Sequence, residues 1–248
     1  MTLWRVEWLR LVRTGRAWIV LGVYLFFAVL GPVTARYLPE ILARFGGDIQ
    51  VITPEPTPAM GIAQFSSNAA QLGLLAIIVV AAGALTFDAR PEWSAFLRTR
   101  VTRLIDLLIP RVVLPAAVGA AALALGTLVA AVGTHLLIGS LPTGDLVIGI
   151  LLGALYLLFA VSVTAVAASV ARSAISTVLL AVAVLMLLPV LQLLPTVGDW
   201  VPSRLLGATD GLLAGAPLSD LLGAVVVTVL VVPGLVAWAT RRLARREL

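Results

Sequence analysis

The sequence predicts an all-α membrane protein with six transmembrane helices, both termini in the cytoplasm and an N-terminal amphipathic helix at the membrane surface. Its composition is the first reason, because 61% of the 248 residues are hydrophobic and only 12% are charged. So few polar residues cannot cover a water-soluble domain of this length. The second reason is that apolar runs of about 20 residues, the length that crosses a bilayer, recur six times.

Residues 1–16 form the first predicted element, an amphipathic connecting helix ahead of the spans. Trp4, Trp8 and Leu11 recur at helical spacing, whereas Glu7 and Arg10 fall on the opposite face. Tryptophan favours the depth of the lipid headgroups, which predicts a helix lying on the inner surface of the membrane. A basic flank of the first span without regular structure is the alternative interpretation.

Residues 17–248 form a single predicted transmembrane domain. The apolar runs are continuous rather than alternating, and a spanning segment has to satisfy its own backbone hydrogen bonds, so helices are expected. Outer connections are expected at 36–68 and 195–220, and the second has the pattern of a turn and a short re-entrant or interfacial helix. The six predicted spans are 18–35, 69–87, 112–138, 146–170, 174–194 and 221–240.

The placement of arginine predicts the orientation. The chain contains no lysine, and fourteen of its seventeen basic residues fall on one side of the predicted spans. Only Arg36, Arg44 and Arg204 fall on the other side. The positive-inside rule assigns the arginine-rich side to the cytoplasm. An even number of spans brings both termini to that side, which agrees with the arginines near each end.

The longest predicted cytoplasmic loop covers 88–111 and carries a second candidate contact surface. Pro91 can begin a short helix there, and aromatic and aliphatic side chains then share one face beside several arginines. A surface helix on anionic lipid and a docking helix for a cytoplasmic protein both agree with this pattern. The residues of this surface are Trp93, Phe96, Leu97, Arg98, Arg100 and Arg103.

The spans offer little machinery for catalysis. His135 is the only histidine, cysteine is absent, and no G-x-S-x-G motif occurs. A P-loop requires its lysine, so this chain is not expected to bind ATP through that motif. Asp, Glu and Arg are absent from the interiors of the predicted spans, unlike most ion-coupled carriers. We therefore expect no enzyme activity and no cofactor on this chain, and we expect His135 to lie at a helix end.

Small and weakly polar residues occur in the spans instead. Gly149 with Gly153, and Gly126 with Ala130, permit close packing of helices within the chain or between subunits. A group of hydroxyl side chains crosses the fourth and fifth predicted spans. Hydrogen bonds between helices and a weakly polar pathway are both possible roles for this group. Its members are Ser162, Thr164, Ser169, Ser173, Ser176 and Thr177.

This layout resembles the permease subunit of ABC-2 type transporters over nearly the whole chain. The stretch 7–16 looks like the family's connecting helix. Phe87-Asp88-Ala89-Arg90, followed by 96–103 and Pro110-Arg111, is similar to the family's first cytoplasmic loop, which contains a coupling helix. The stretch 163–173 looks like the family's turn between spans four and five. Trp200-Val201-Pro202-Ser203 resembles the segment before span six.

The resemblance implies a permease subunit in a bacterial cell membrane. A separate ATPase subunit would bind ATP and Mg²⁺, and a second copy of this chain or a related permease would complete the pathway. Export of a hydrophobic or amphipathic substrate is expected, and nucleic acid is not an expected partner. The residues implied to contact the ATPase are Asp88, Arg90, Glu92, Trp93, Phe96, Leu97, Arg98, Arg100, Arg103, Glu7 and Arg10.

Two other functions remain open from the sequence. A membrane anchor or assembly subunit would recruit a cytoplasmic partner without moving a substrate. An ion-coupled carrier would work without an ATPase. A bound ATPase without ATP-dependent flux favours the anchor, whereas proton-driven or sodium-driven flux favours the carrier.

Overall fold

The computed structural model describes residues 2–45, 56–87 and 103–245, and for 42–45 the backbone alone. All regular elements within these ranges are helical, and six stretches are long and apolar enough to cross a membrane. The predicted all-α fold with six helices long and apolar enough to cross a membrane is thereby confirmed. The α-helices are α1 (Leu3–Arg13), α2 (Arg16–Phe45), α3 (Pro58–Asn68), α4 (Leu74–Leu85), α5 (Leu104–Leu137), α6 (Thr143–Val170), α7 (Ala174–Leu187), α8 (Ala208–Leu213) and α9 (Leu222–Ala244).

Several helices extend beyond the predicted hydrophobic runs. Helix α2 continues to Phe45 and α3 begins at Pro58, so much of the connection expected over 36–68 is helical. Helix α5 begins at Leu104, eight residues before the predicted span, so the loop expected over 88–111 ends earlier. The physical reason is that the length of an apolar run reflects the thickness of the membrane's hydrocarbon core. A helix forms its own backbone hydrogen bonds in lipid and in water, so it can continue past that core.

The second span combines three segments into one long helix. A π-helical turn, Ala69–Gly73, joins α3 to α4 without a break. The ring of Tyr24 from α2 lies directly on this turn, because a Cβ atom added to Gly73 would be 2.7 Å from Tyr24 Cζ. The absence of a side chain at Gly73 therefore lets a buried tyrosine pack against the backbone.

Small residues permit the close helix packing that the sequence predicts. A Cβ atom on Gly126 would lie 2.9 Å from Phe65 Cζ, and one on Gly153 would lie 2.7 Å from Leu123 Cδ2. Both contacts join different helices of this one chain. The predicted role of these glycines in packing is confirmed within the subunit.

The described spans alternate in direction, so α1 and the last turns of α9 lie at the same end of the bundle. Arg10 of α1 donates a hydrogen bond to the Gly83 carbonyl near the end of α4. The short turn between α5 and α6 lies at the opposite end, which returns Val170 to the end where α1 lies. We call this the basic end, because its described arginines are Arg5, Arg10, Arg13, Arg16, Arg103, Arg111, Arg172, Arg241, Arg242 and Arg245.

The connection between α7 and α9 enters the bundle from the opposite end. It contains three 3₁₀ turns, Leu188–Leu193, Gly198–Trp200 and Pro202–Gly207, before α8. Leu206 lines a cavity together with Tyr156 of α6. Tyr156 lies about 20 Å from the start of α6, at a rise of about 1.5 Å per residue. The predicted turn and short helix are present, and the segment reaches close to the middle of α6. We call 188–213 the re-entrant segment, because it packs back into the helix bundle beside α6.

Helix α6 forms the centre of the fold. It packs against α4, α5, α7, α8 and α9, and half of its most apolar stretch is buried. The corresponding stretches of the last two spans are only 17% buried. The surfaces of α7 and α9 are therefore available to lipid or to another subunit.

Candidate functional site

A tight elbow joins α1 to α2 at the basic end. The backbone N–H groups of Thr14 and Gly15 donate to the carbonyls of Arg10 and Val12 at 3.1 and 3.2 Å, which ends α1. Gly15 has φ +76°, a backbone conformation that favours glycine. This turn folds α1 across the bundle, where Leu11 is completely buried.

An ion-pair cluster holds α1 against α5. Arg111 Nε donates a hydrogen bond to Glu7 Oε1 at 2.8 Å, and both residues are buried. Arg10 Nε lies 2.8 Å from Glu7 Oε2 as an ion pair without the alignment of a hydrogen bond. The Arg111 guanidinium carbon also lies 4.5 Å from the centre of the Phe87 ring, a cation–π contact. The cluster therefore joins α1, α5 and the end of the second span.

Positive charge exceeds negative charge in this cluster. Within the described part of the chain, Arg10 Nη2, Arg16 Nη1 and Arg111 Nη1 are buried without a hydrogen-bond acceptor. Burial lowers the pKa of the Arg10 guanidinium; the neighbouring Arg111 and Arg16 charges act in the same direction, and the Glu7 carboxylate opposes them. An arginine keeps its charge in a protein. The cluster therefore has spare donors for a further anionic or carbonyl group.

Helix α1 buries a face formed by Glu7 and Leu11, and leaves Arg5 and Arg13 exposed. The helix lies within the predicted element 1–16, and Trp4 and Trp8 are 44% and 49% exposed, as expected for side chains at headgroup depth. Glu7 was expected on the face opposite Leu11, but it is only 5% exposed and shares the buried face. The physical reason is its pairing with Arg111, a partner distant in sequence that the local pattern of α1 cannot indicate.

Three of the residues expected to contact an ATPase are among those that the structure describes. Glu7 and Arg10 meet in the ion-pair cluster, and Arg103 is exposed at the residue before α5. Arg16, Arg111 and Gly83 belong to the cluster but not to the predicted set. The opposite charges of Glu7 and Arg111 at the predicted cytoplasmic surface were the one available signal. The remaining predicted residues, Asp88, Arg90, Glu92, Trp93, Phe96, Leu97, Arg98 and Arg100, lie outside the described residues.

The hydroxyl groups of the fourth and fifth spans form hydrogen bonds within their own helix or at its start, rather than to neighbouring helices. Ser162 donates to the Leu158 carbonyl and Thr164 to the Ala160 carbonyl, each at 2.8 Å. Ser173 and Ser176 instead form a capping box that begins α7. These contacts therefore do not supply the predicted hydrogen bonds between helices, and the polar pathway stays a prediction. His135 is exposed in the last turn of α5, as predicted.

A half-buried carboxylate lies in the predicted outer connection 195–220. Asp210, in α8, lies near Ser66 of α3, and its Oδ1 atom has no hydrogen-bond partner among the described residues. Burial raises the pKa of Asp210 above its usual range, and the nearby Ser66 hydroxyl opposes this effect. A cavity of about 30 Å³ next to this pair is lined by Tyr24, Ser66, Thr127 and Thr209, among others. The re-entrant segment therefore adds the ionisable group that the span interiors lack.

Neither site has the composition of a metal centre. In residues 2–45, 56–87 and 103–245, no three His, Asp or Glu side chains are grouped closely enough to hold a metal ion. Comparison with models of protein families, with characterised proteins and with solved structures gives no match to this chain.

Proposed function

We propose that this chain is the transmembrane permease subunit of an ABC-2 type transporter, energised by a separate ATPase subunit. The observation that carries the proposal is the buried Glu7–Arg111 pair. It fastens the surface helix α1 to the start of α5, the helix that follows the loop expected to couple to an ATPase. A force applied at the basic end is therefore transmitted to two elements together.

The composition supports an external source of energy. The chain lacks the lysine of a P-loop, so ATP hydrolysis belongs on another chain. Closure of that ATPase would displace the loop before α5 and the attached α1. The spans would then change between two packings of the same helices, one open to each side.

The arrangement at the basic end supports the proposed orientation. Ten of the described arginines lie there, whereas Arg36, Arg44 and Arg204 lie towards the other end. The positive-inside rule favours a cytoplasmic basic end, and the proposal is that both termini face the cytoplasm of a bacterial cell. The surfaces of α7 and α9 that the fold leaves open offer room for a second permease copy. Export of a hydrophobic or amphipathic substrate is part of this proposal.

Affinity purification from cells that express the natural partners tests this function. The tagged chain, extracted in mild detergent, is expected to retain a P-loop ATPase. Proteoliposomes of the purified complex are expected to hydrolyse ATP, and Glu7→Gln is expected to lower hydrolysis or partner retention. Asp199→Asn, which removes an exposed ion pair with Arg204 at the opposite end, is the matched control. Transport by this chain alone, without ATP, would refute the proposal.

Asp210 supports a second candidate, an ion-coupled carrier. Carriers place ionisable groups inside the membrane domain to bind a proton or sodium ion, and Asp210 is a carboxylate partly buried beside α3. For such a carrier, an imposed pH or sodium gradient drives flux in liposomes without nucleotide. Asp210→Asn would abolish the gradient-driven flux of such a carrier. A wild-type ABC-2 permease would show no gradient-driven flux.

A further inference from the structure

A second concentration of positive charge lies at the basic end, away from the Glu7 cluster. It is an open cleft of about 590 Å³ between the end of α6 and the last turns of α9. Ser169 and Val170 contribute its α6 side, and Arg172 comes from the turn before α7. The cleft is lined by Ser169, Val170, Arg172, Trp238, Arg241, Arg242 and Arg245.

Four guanidinium groups share this cleft, and no carboxylate is among its described lining residues. Helices α6 and α9 both end here, and the partial negative charge of their last carbonyls favours nearby cations. That effect amounts to about half an elementary charge per helix end, so it does not balance four arginines. Arginine binds phosphate through paired, charge-assisted hydrogen bonds, which makes a phosphate-containing anion the fitting ligand.

Trp238 places the cleft at the depth of the lipid headgroups. The residue is 46% exposed, and the Arg242 guanidinium carbon lies 5.5 Å from the centre of its ring. Tryptophan concentrates at the interface between lipid and water. Trp4 and Trp8, exposed on α1, belong to the same end of the bundle. The arginines of the cleft therefore lie at the level where phospholipid phosphates occur.

Apolar surface begins directly beside the arginines. Val170 lines the cleft and is 43% exposed, and Ile175, in the first turn of α7, is 75% exposed. Leu179 continues the same face of α7 and is 66% exposed. Helices α7 and α9 both pack on α6 but make few or no contacts with each other. An acyl chain can lie along this surface while its headgroup occupies the cleft.

We propose that the cleft binds the phosphodiester headgroup of an anionic phospholipid of the cytoplasmic leaflet. The arginines hold the phosphate, the Trp238 ring covers its side, and the acyl chains lie against the exposed faces of α7 and α9. A soluble protein with an acidic surface would need the arginines but not the adjoining apolar surface. The combination of both features favours lipid.

Lipid retention measured by native mass spectrometry tests this site. The purified chain is placed in nanodiscs of phosphatidylcholine containing a minor fraction of phosphatidylglycerol and is then released into the gas phase. Retention of phosphatidylglycerol over phosphatidylcholine by about tenfold or more is expected. Arg172→Gln combined with Arg242→Gln is expected to remove this preference. Arg5→Gln with Arg13→Gln, which changes two exposed arginines of α1 at the same end, is expected to keep it.

Conservative variants separate loss of the site from loss of the fold. Arg172→Lys with Arg242→Lys keeps both charges but loses the paired geometry, so an intermediate preference is expected. Variants are compared only when their melting temperatures and size-exclusion profiles in detergent are equal. Equal retention of the two lipids by the wild type, or unchanged preference in the glutamine variant, would overturn the proposal.

Two further measurements distinguish the sources of the phosphate. Inorganic phosphate and glycerophosphoglycerol, which lack acyl chains, are added at the lipid's own concentration. Displacement of the lipid by either one would show a site for a soluble phosphate and would overturn the assignment to lipid. A glutamine variant that loses a co-purifying protein but keeps its lipid preference would also overturn it.

Discussion

Glu7 and Arg111 stand 104 positions apart in the sequence and meet at 2.8 Å, with each side chain more than nine-tenths buried. Removing one partner of such a pair leaves a buried charge without compensation. Because Glu7 belongs to a surface helix and Arg111 lies two turns into α5, the contact decides where α1 rests on the bundle.

Glu7→Gln is expected to destabilise the protein by about 3–5 kcal/mol, because Arg111 then remains buried without its carboxylate. The melting temperature in detergent measures this loss. Asp199→Asn removes a more exposed pair and is expected to cost at most about 1 kcal/mol. Glu7→Gln combined with Arg111→Gln is expected to recover much of the loss. Equal melting temperatures for the Glu7→Gln and Asp199→Asn variants would contradict the structural role of the pair.

Gly15→Ala is expected to weaken the elbow between α1 and α2. Its φ of +76° costs a residue with a Cβ atom about 1–2 kcal/mol. Gly22→Ala is the matched control, because Gly22 lies inside α2 with open space around its Cβ position. Helix propensity favours alanine there by up to about 1 kcal/mol. Gly15→Ala should increase limited proteolysis after Arg13 and lower the melting temperature. Gly22→Ala should change both measurements in the opposite direction.

Gly149→Ala is expected to displace the re-entrant segment. The new Cβ atom would overlap Thr209 Oγ1 and lie 2.9 Å from Thr209 Cα, so the backbone of α8 has to move. Gly144→Ala on the same helix meets no atom within 4 Å. The chain contains no cysteine, so Leu206→Cys can report the movement by maleimide labelling. Faster labelling is expected with Gly149→Ala only, and equal rates for both backgrounds would contradict the packing.

Asp210→Asn is expected to change the dependence of stability on pH. An acid whose pKa is raised by folding stabilises the folded state below its unfolded pKa, near 3.9, and this contribution is lost as the pH rises through the folded pKa. The variant should therefore melt at a higher temperature than the wild type at pH 7. This advantage should shrink as the pH falls towards 4. Equal melting temperatures of the variant and the wild type at pH 7 would contradict this prediction.

Single cysteines test the orientation of the chain in the membrane. A membrane-impermeant maleimide is expected to label Ser140→Cys and Ser219→Cys in intact cells, because both exposed positions lie at the end opposite the basic end. Thr2→Cys and Ala244→Cys, exposed near the termini, should react only after the cells are opened. The reverse pattern would place the arginine-rich end outside.

Local properties of the chain were enough to predict the membrane class, the number of spans and a surface helix within 1–16. Hydrophobic length matches the thickness of a bilayer, and backbone hydrogen bonding then demands helices. The grouping of arginines at one end also follows from composition along the chain. The ends of the helices were less predictable, since Leu104 and Phe45 extend helices beyond the apolar runs.

Contacts between distant residues decided the rest. The inward turn of Glu7, the depth of Leu206 beside α6 and the approach of Asp210 to Ser66 all depend on partners that no local period reveals. Sequence by itself determined which segments prefer lipid, because that preference is a property of each side chain. Tertiary structure decided which polar groups are buried, because the cost of burying a charge depends on the partner that it meets.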